Sequence, residues 1–169
     1  MLFADDIDEE IKRSLSDLSH VLGILPNLKN PRPQFGESIV AQLLVTHASV
    51  QRKLEEPLKK EGRVLCEIVV AHDMLNGMAS LQGGCSAFLI DVCSSLCLSV
   101  LQRSNHVSQS LNVVYHSPAS LGEKLRIINT TMAVGARVMS ARTEIWNATQ
   151  HRLVASGVHI KMQPSTAKL

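Results

Sequence analysis

The 169-residue chain has 45% apolar and 19% charged residues and a formal net charge of +2, which excludes a disordered chain and a second independent enzyme domain. Aromatic residues make up only 3%, and no Lys/Arg run longer than two interleaves with them, so the usual footprint of nucleic-acid binding is absent. Cys66, Cys85, Cys93 and Cys97 lack C-x-x-C spacing, and the last three share one apolar segment, which argues against both a zinc site and a disulfide framework.

The opening residues are acidic (Asp5, Asp6, Asp8, Glu9, Glu10), unlike a secretory signal or a transit peptide. From Asp5 to Leu22, apolar Ile7, Ile11, Leu15, Leu18 and Leu22 recur at three- and four-residue intervals and predict a helix with one packed face. Pro26, Pro31, Pro33 and Gly36 then read as a linker. This divides the chain into an N-terminal helix and linker (1–36), a compact domain (37–163) and a tail (164–169).

Within the domain, Ser38 to Ser49 is rich in Val, Leu and Ile and fits a strand, although its periodicity also allows a helix. The charged run Arg52 to Lys60 reads as a solvated loop. Val64, Cys66, Ile68 and Val70 alternate along Gly62 to Ala71, the period of a strand. Asn76-Gly77 marks a turn. Gly83 to Leu101 is apolar for roughly 19 residues, long enough to span a bilayer. Asp91 at its middle, with Ser94 and Ser95, makes it a helix buried in protein instead.

Four strand-like runs follow: Val107 to Tyr115, Glu123 to Val134, Arg137 to Asn147 and Arg152 to Met162. Their short separators favour an antiparallel meander. One long apolar helix between strands gives an α+β fold, in which a curved antiparallel sheet wraps a central helix.

The chemistry concentrates between Asn76 and Glu123. The segment Asn76-Gly-Met-Ala-Ser-Leu-Gln82-Gly83-Gly84-Cys-Ser-Ala-Phe-Leu-Ile-Asp91 resembles the active-site signature of hotdog-fold acyl-CoA thioesterases, in the phenylacetate-type and small mammalian-type branch. Ser108-x3-Asn112-x2-Tyr115-x-Ser117-Pro118-Ala119-x-Leu121-Gly122-Glu123 resembles the same branch, and the similarity runs from about Gly62 to Lys161.

That resemblance implies hydrolysis of an acyl-CoA thioester to free acid and CoA, with Asp91 as general base or nucleophile. The residues support this physically. A glycine pair opening a buried helix leaves backbone N–H groups to face a polarised carbonyl, so Gly83 is the expected oxyanion donor. A carboxylate among apolar residues can accept a proton from water. The resemblance further implies Asn76 near the thioester or the attacking water, Ser108 orienting that water, and another hydroxyl at Ser95, one helical turn beyond Asp91.

Gln82 departs from the pattern of this branch, whose members usually carry His before the glycine pair. An amide can donate a hydrogen bond there but cannot titrate near neutral pH. The alternative reading is therefore a hotdog protein that binds an acyl thioester without hydrolysing it, or that catalyses a non-hydrolytic reaction. The hydratase branch is disfavoured, because no Asp-x4-His arrangement surrounds Asp73 or Asp91.

For the CoA moiety, the resemblance implies Tyr115, Ser117 and Pro118, Gly135 and Arg137 in the 133–138 loop, and His159. CoA enters as part of the substrate, and neither a further cofactor nor a metal is expected. The family pairs its sheets, which implies a homodimer or a homotetramer built as a dimer of dimers. No nucleic acid and no membrane span are expected. Ala167-Lys168-Leu169 is a conservative variant of the Ser-Lys-Leu peroxisomal address, so peroxisomes are the expected location, with cytoplasm otherwise.

Overall fold

The computed structural model of the chain describes residues 1–17, 34–101 and 106–164. The expected positions Leu18, Leu22, Pro26, Pro31 and Pro33, and the tripeptide Ala167-Lys168-Leu169, lie outside the described residues.

A short strand β1 (Leu2–Phe3) leads into helix α1 (Glu9–Ser16). Asp8 caps α1 by accepting from the Glu10 and Ile11 amides at 2.8 and 3.3 Å, and Glu9 and Glu10 complement the positive helix end. Leu15 buries its side chain, and the Ser14 hydroxyl donates to Ser99 O at 3.4 Å. The described part of segment 1–36 is thus packed into the compact unit, with β1 adding a parallel strand beside β2.

The ambiguous stretch 38–49 turns out to be both elements: helix α2 (Glu37–Gln42), then strand β2 (Leu44–Arg52). Gly36 opens α2 at φ 72°, directly beneath the Phe88 ring, where any Cβ would collide. Strand β3 (Lys60–Val69) buries Val64, Cys66 and Ile68, as their alternation predicts. A 3-10 turn at His72–Met74 and the Asn76 turn lead into the central helix α3 (Gly83–Ser99). That helix is apolar on nearly every side, as a helix wrapped by a sheet must be.

Strands β4 (Val107–Tyr115), β5 (Lys124–Val134), β6 (Val138–Asn147) and β7 (Arg152–Met162) match the predicted spans within a residue. Their pairing differs from a simple meander. The sheet order is β1-β2-β3-β5-β6-β7-β4, so of these four strands only β5, β6 and β7 follow one another by hairpins. The β4–β5 connection crosses the N-terminal end of α3, pinned there by Leu81 N–H to Ala119 O (2.7 Å) and Gly122 N–H to Val70 O (2.9 Å). A linker tied to the helix start cannot close a hairpin, and β4 is sent to the far edge beside β7.

Two details position the site. A β-bulge between Ser108 and Ser110 interrupts the alternation of β4. Residues seven apart on an even strand point to opposite faces. The extra residue brings Ser108 and Tyr115 to the same helix-facing side, opposite Lys161 and Ala155 of β7. Gly157 of β7 lets α3 and β4 approach, since a Cβ there would sit 2.7 Å from Asn112 O and 3.1 Å from Ile90 Cγ2. Gly157→Val is therefore expected to lower stability by about 3 kcal/mol, measured by denaturant unfolding, because the nearer obstacle is backbone and must shift.

Candidate active site

The site residues fall into two groups, one at each end of the helix-facing surface. The first gathers at the start of α3. Asn76 Oδ1 accepts from the Met78 and Ser80 amides (2.9 and 3.2 Å), and this Asx-type turn, with Ala79 at φ 57°, sets the chain up to enter the helix. Its amide Nδ2 is then what the Asn76 side chain can offer a ligand. Gln82 is the N-cap, held by its N–H to Met74 O at 2.8 Å. Its side-chain Oε1 accepts from the Gly83 N–H at 2.9 Å, so the expected oxyanion donor is occupied by its own neighbour.

Tyr115 closes this end. Its hydroxyl donates to Gly83 O at 3.1 Å, and its ring lies 3.4 Å from where a Gly83 Cβ would be. Ser117 donates to Leu153 O, and Pro118 O accepts from Arg152 at 2.8 Å, fixing the loop that follows. Cys85, the third residue of the helix, is no nucleophile, because burial pushes its thiol up to about 11, with Asp73 adding to the effect.

The second group surrounds Asp91, two turns further along α3. The Asp91 side chain is 44% exposed, and its Oδ1 lies 3.4 Å from Ser108 Oγ and 3.5 Å from His159 Nε2. His159 Nε2 and Ser108 Oγ are 2.9 Å apart, while His159 Nδ1 meets Ser94 Oγ at 2.7 Å. The Ser94 and Ser95 hydroxyls both lie within reach of Asp91 O, at 3.0 and 2.8 Å, and Lys161 Nζ donates to Ser95 Oγ at 2.9 Å. Burial pushes both the His159 imidazole and the Lys161 ammonium below their ordinary values, while Asp91 pulls each the other way.

Of the expected catalytic residues, Asn76, Gln82 and Gly83 thus share one end, and Asp91, Ser95 and Ser108 the other. The expected CoA residues also divide. Tyr115, Ser117 and Pro118 lie at the Gly83 end. Gly135 and Arg137 sit in the β5–β6 turn at the Asp91 end, where Arg137 is exposed and its carbonyl accepts from Gln163 N–H at 2.9 Å. His159, expected beside CoA, is fully buried and belongs to the Asp91 group. Ser94 and Lys161 were not singled out by the sequence. The one signal for them was polarity inside an otherwise apolar helix, matched by polar residues alternating along the last strand.

A profile of the family described as Thioesterase superfamily matches residues 78–154. Acyl-coenzyme A thioesterase 13 of Homo sapiens is 33% identical over 101 residues, covering 59% of this chain and 72% of that protein. The chain belongs to the thioesterase superfamily. Its fold is the hotdog, and thioester hydrolysis is the chemistry of the family. The mouse thioesterase superfamily member 2 structure superposes with a TM-score of 0.57 at 30% identity, covering 60% of this chain and 81% of that one. The zebrafish thioesterase superfamily member 2 structure, at 24% identity, shows the fold over 92% of this chain and 94% of that one, with a TM-score of 0.68. Among the described residues, no helix of this thioesterase is long and apolar enough to cross a membrane.

Proposed function

We propose that this thioesterase hydrolyses acyl-CoA to free acid and CoA, in a site shared between two copies of the chain. The carrying observation is the separation of the two groups. Gly83 and Asp91 are eight residues apart, which at 1.5 Å per residue is about 12 Å along the helix. Ser108 and Tyr115, registered six residues apart on β7, are about 20 Å apart along the sheet at roughly 3.3 Å per residue. One thioester carbonyl cannot meet both ends of one chain. A two-fold dimer that sets the Gly83 end of one copy against the Asp91 end of the other brings them together twice. The position of β4 at the edge of the sheet, carrying Ser108 and Tyr115, supports this pairing, and a tetramer would double it.

In this reading the Gly83 N–H, with the Asn76 amide nearby, polarises the thioester oxygen, and the helix start favours the developing negative charge. Asp91 removes a proton from water oriented by Ser108, the hydroxide attacks the carbonyl carbon, and the C–S bond breaks with CoA leaving as thiolate. Ser95 holds the Asp91 turn. Tyr115, Ser117 and Pro118 of one copy and Gly135 and Arg137 of the other would flank CoA, with the Arg137 guanidinium suited to phosphate. CoA arrives with the substrate, and no further cofactor or metal enters the scheme.

A second reading, binding without turnover, is favoured by one observation: Gln82 Oε1 sits on the Gly83 N–H that the substrate oxygen needs. Thiol release from short, long and aromatic acyl-CoAs separates the two, with turnover of at least one class expected for the hydrolase. Tight binding of a non-hydrolysable acyl-CoA analogue, without turnover of any acyl-CoA, would favour the second. Residence in peroxisomes belongs to the same proposal. A fluorescent protein ending in Ala167-Lys168-Leu169 is expected to co-localise with a peroxisomal marker, and diffuse fluorescence would refute that address.

A further inference from the structure

We propose that His159 is a positioning residue of the hydrolytic site, acting as a neutral hydrogen-bond donor that aims Ser108 at Asp91. This rests on the reading of Asp91 as the base. His159 is fully buried, and each ring nitrogen has one close hydroxyl partner, Ser94 Oγ on Nδ1 (2.7 Å) and Ser108 Oγ on Nε2 (2.9 Å). Asp91 Oδ1 stands 3.5 Å from Nε2. A lone pair on Nε2 would face that carboxylate, so the proton of the neutral ring belongs on Nε2 and the lone pair on Nδ1.

The remaining protons then run in one direction. The Ser94 hydroxyl, which has both Asp91 O and Nδ1 in reach, gives its one proton to Nδ1, Nε2–H donates to Ser108 Oγ, and the Ser108 O–H is left for Asp91 Oδ1 at 3.4 Å. The chain of donors ends on the carboxylate, where each bond polarises the next. It fixes the Ser108 rotor and holds one carboxylate oxygen, leaving the other to take the proton from water.

Neutrality is part of the device. A charged imidazolium would pair directly with Asp91 and diminish its basicity. The titratable groups facing His159 are Asp91 from α3 and Lys161 from β7. Its cross-strand neighbours, Leu111 of β4 and Ala141 of β6, carry no charge, and nor do Ser94 and Ser108. Lys161, 9% exposed and held by Ser95, is the cation that opposes a second positive charge on the ring, in addition to burial. Removing that cation lets the ring protonate at higher pH.

The test has two parts on the full-length chain. In ring 15N–1H spectra of the wild type near pH 7.5, His159, identified by its loss in His159→Gln, is expected as the neutral Nε2–H tautomer. A cationic ring or an Nδ1–H tautomer overturns the proposal without reference to activity. In pH profiles of thiol release, Lys161→Met is expected to move the acidic fall of kcat to higher pH, while Lys161→Arg keeps it in place. A fall that stays put in Lys161→Met, or a loss equal at all pH values, overturns it. His159→Gln is expected to lower kcat roughly ten- to a hundredfold with KM within about twofold, as misplacement of a reacting group does. Retained hydrolysis in Asp91→Asn would instead refute the underlying assignment of the base, which the spectra do not address.

Discussion

Asp91→Asn is expected to lower kcat for acyl-CoA hydrolysis at least about a hundredfold while the protein keeps its fold and binds a non-hydrolysable analogue, the scale of losing a general base. The exchange is nearly isosteric. The Asn side chain can still accept from Ser108, whose hydroxyl lies 3.4 Å from Asp91 Oδ1, so geometry is preserved and only proton acceptance is lost. Because the Asp91 side chain is half open to solvent, and the buried Lys161 ammonium that loses its neighbouring carboxylate keeps its bond to Ser95, unfolding midpoints should fall only modestly. Thiol release measured under saturating substrate, with analogue binding by calorimetry, makes the check. Full activity in Asp91→Asn would remove the carboxylate from the reaction.

Gln82→Glu is expected to reduce turnover by about a hundredfold for a different reason, comparable to deleting an oxyanion-hole donor. The wild-type amide oxygen already accepts from Gly83 N–H at 2.9 Å, and a substrate oxygen must displace it. A carboxylate in its place binds that N–H more strongly and is favoured by the positive end of α3, so the donor stays closed while the helix is well capped. Gln82→His removes the competing amide oxygen and introduces a group that titrates, and is expected to raise turnover. The two inactive variants make a further check when co-expressed. If the site combines the Gly83 end of one copy with the Asp91 end of the other, mixed dimers of Asp91→Asn and Gln82→Glu hold one intact site, and random pairing should restore about a quarter of wild-type activity. No restoration in verified mixed dimers would place the site within a single chain.

The strands around the helix were legible because each carries its own evidence. Alternation along β3 and the turn residues between β5, β6 and β7 are local, and the structure follows them. The position of β4 was not legible. It depends on where the linker after Tyr115 is tied down, a contact between Ala119 and Leu81 that no period in the sequence records. The same limit applied to the site. Gly83 and Asp91 stand out as a glycine pair and a lone carboxylate in an apolar helix. Lys161 reads as an ordinary residue of a half-exposed strand and His159 only as a residue beside CoA, because their burial comes from the strands that flank β7 on both sides. The bulge that lets Ser108 share a face with Tyr115 is invisible for a related reason: one inserted residue changes the facing without changing the composition.

The edge placement of β4 also bears on how the molecule comes into being. Its hydrogen-bonding neighbour is β7, the last strand to be synthesised, with Val107 registered on Met162 and Tyr115 on Ala155. Until β7 emerges from the ribosome, β4 has no strand to pair with among the described residues and Ser108 has no histidine beside it. Such distant pairing is slow to form and leaves a sticky edge during the wait. Asn76, Gln82 and Gly83, held by bonds among residues 74–83, can take shape earlier. On the proposed mechanism, the residues that receive the carbonyl can thus be in place before those that activate water.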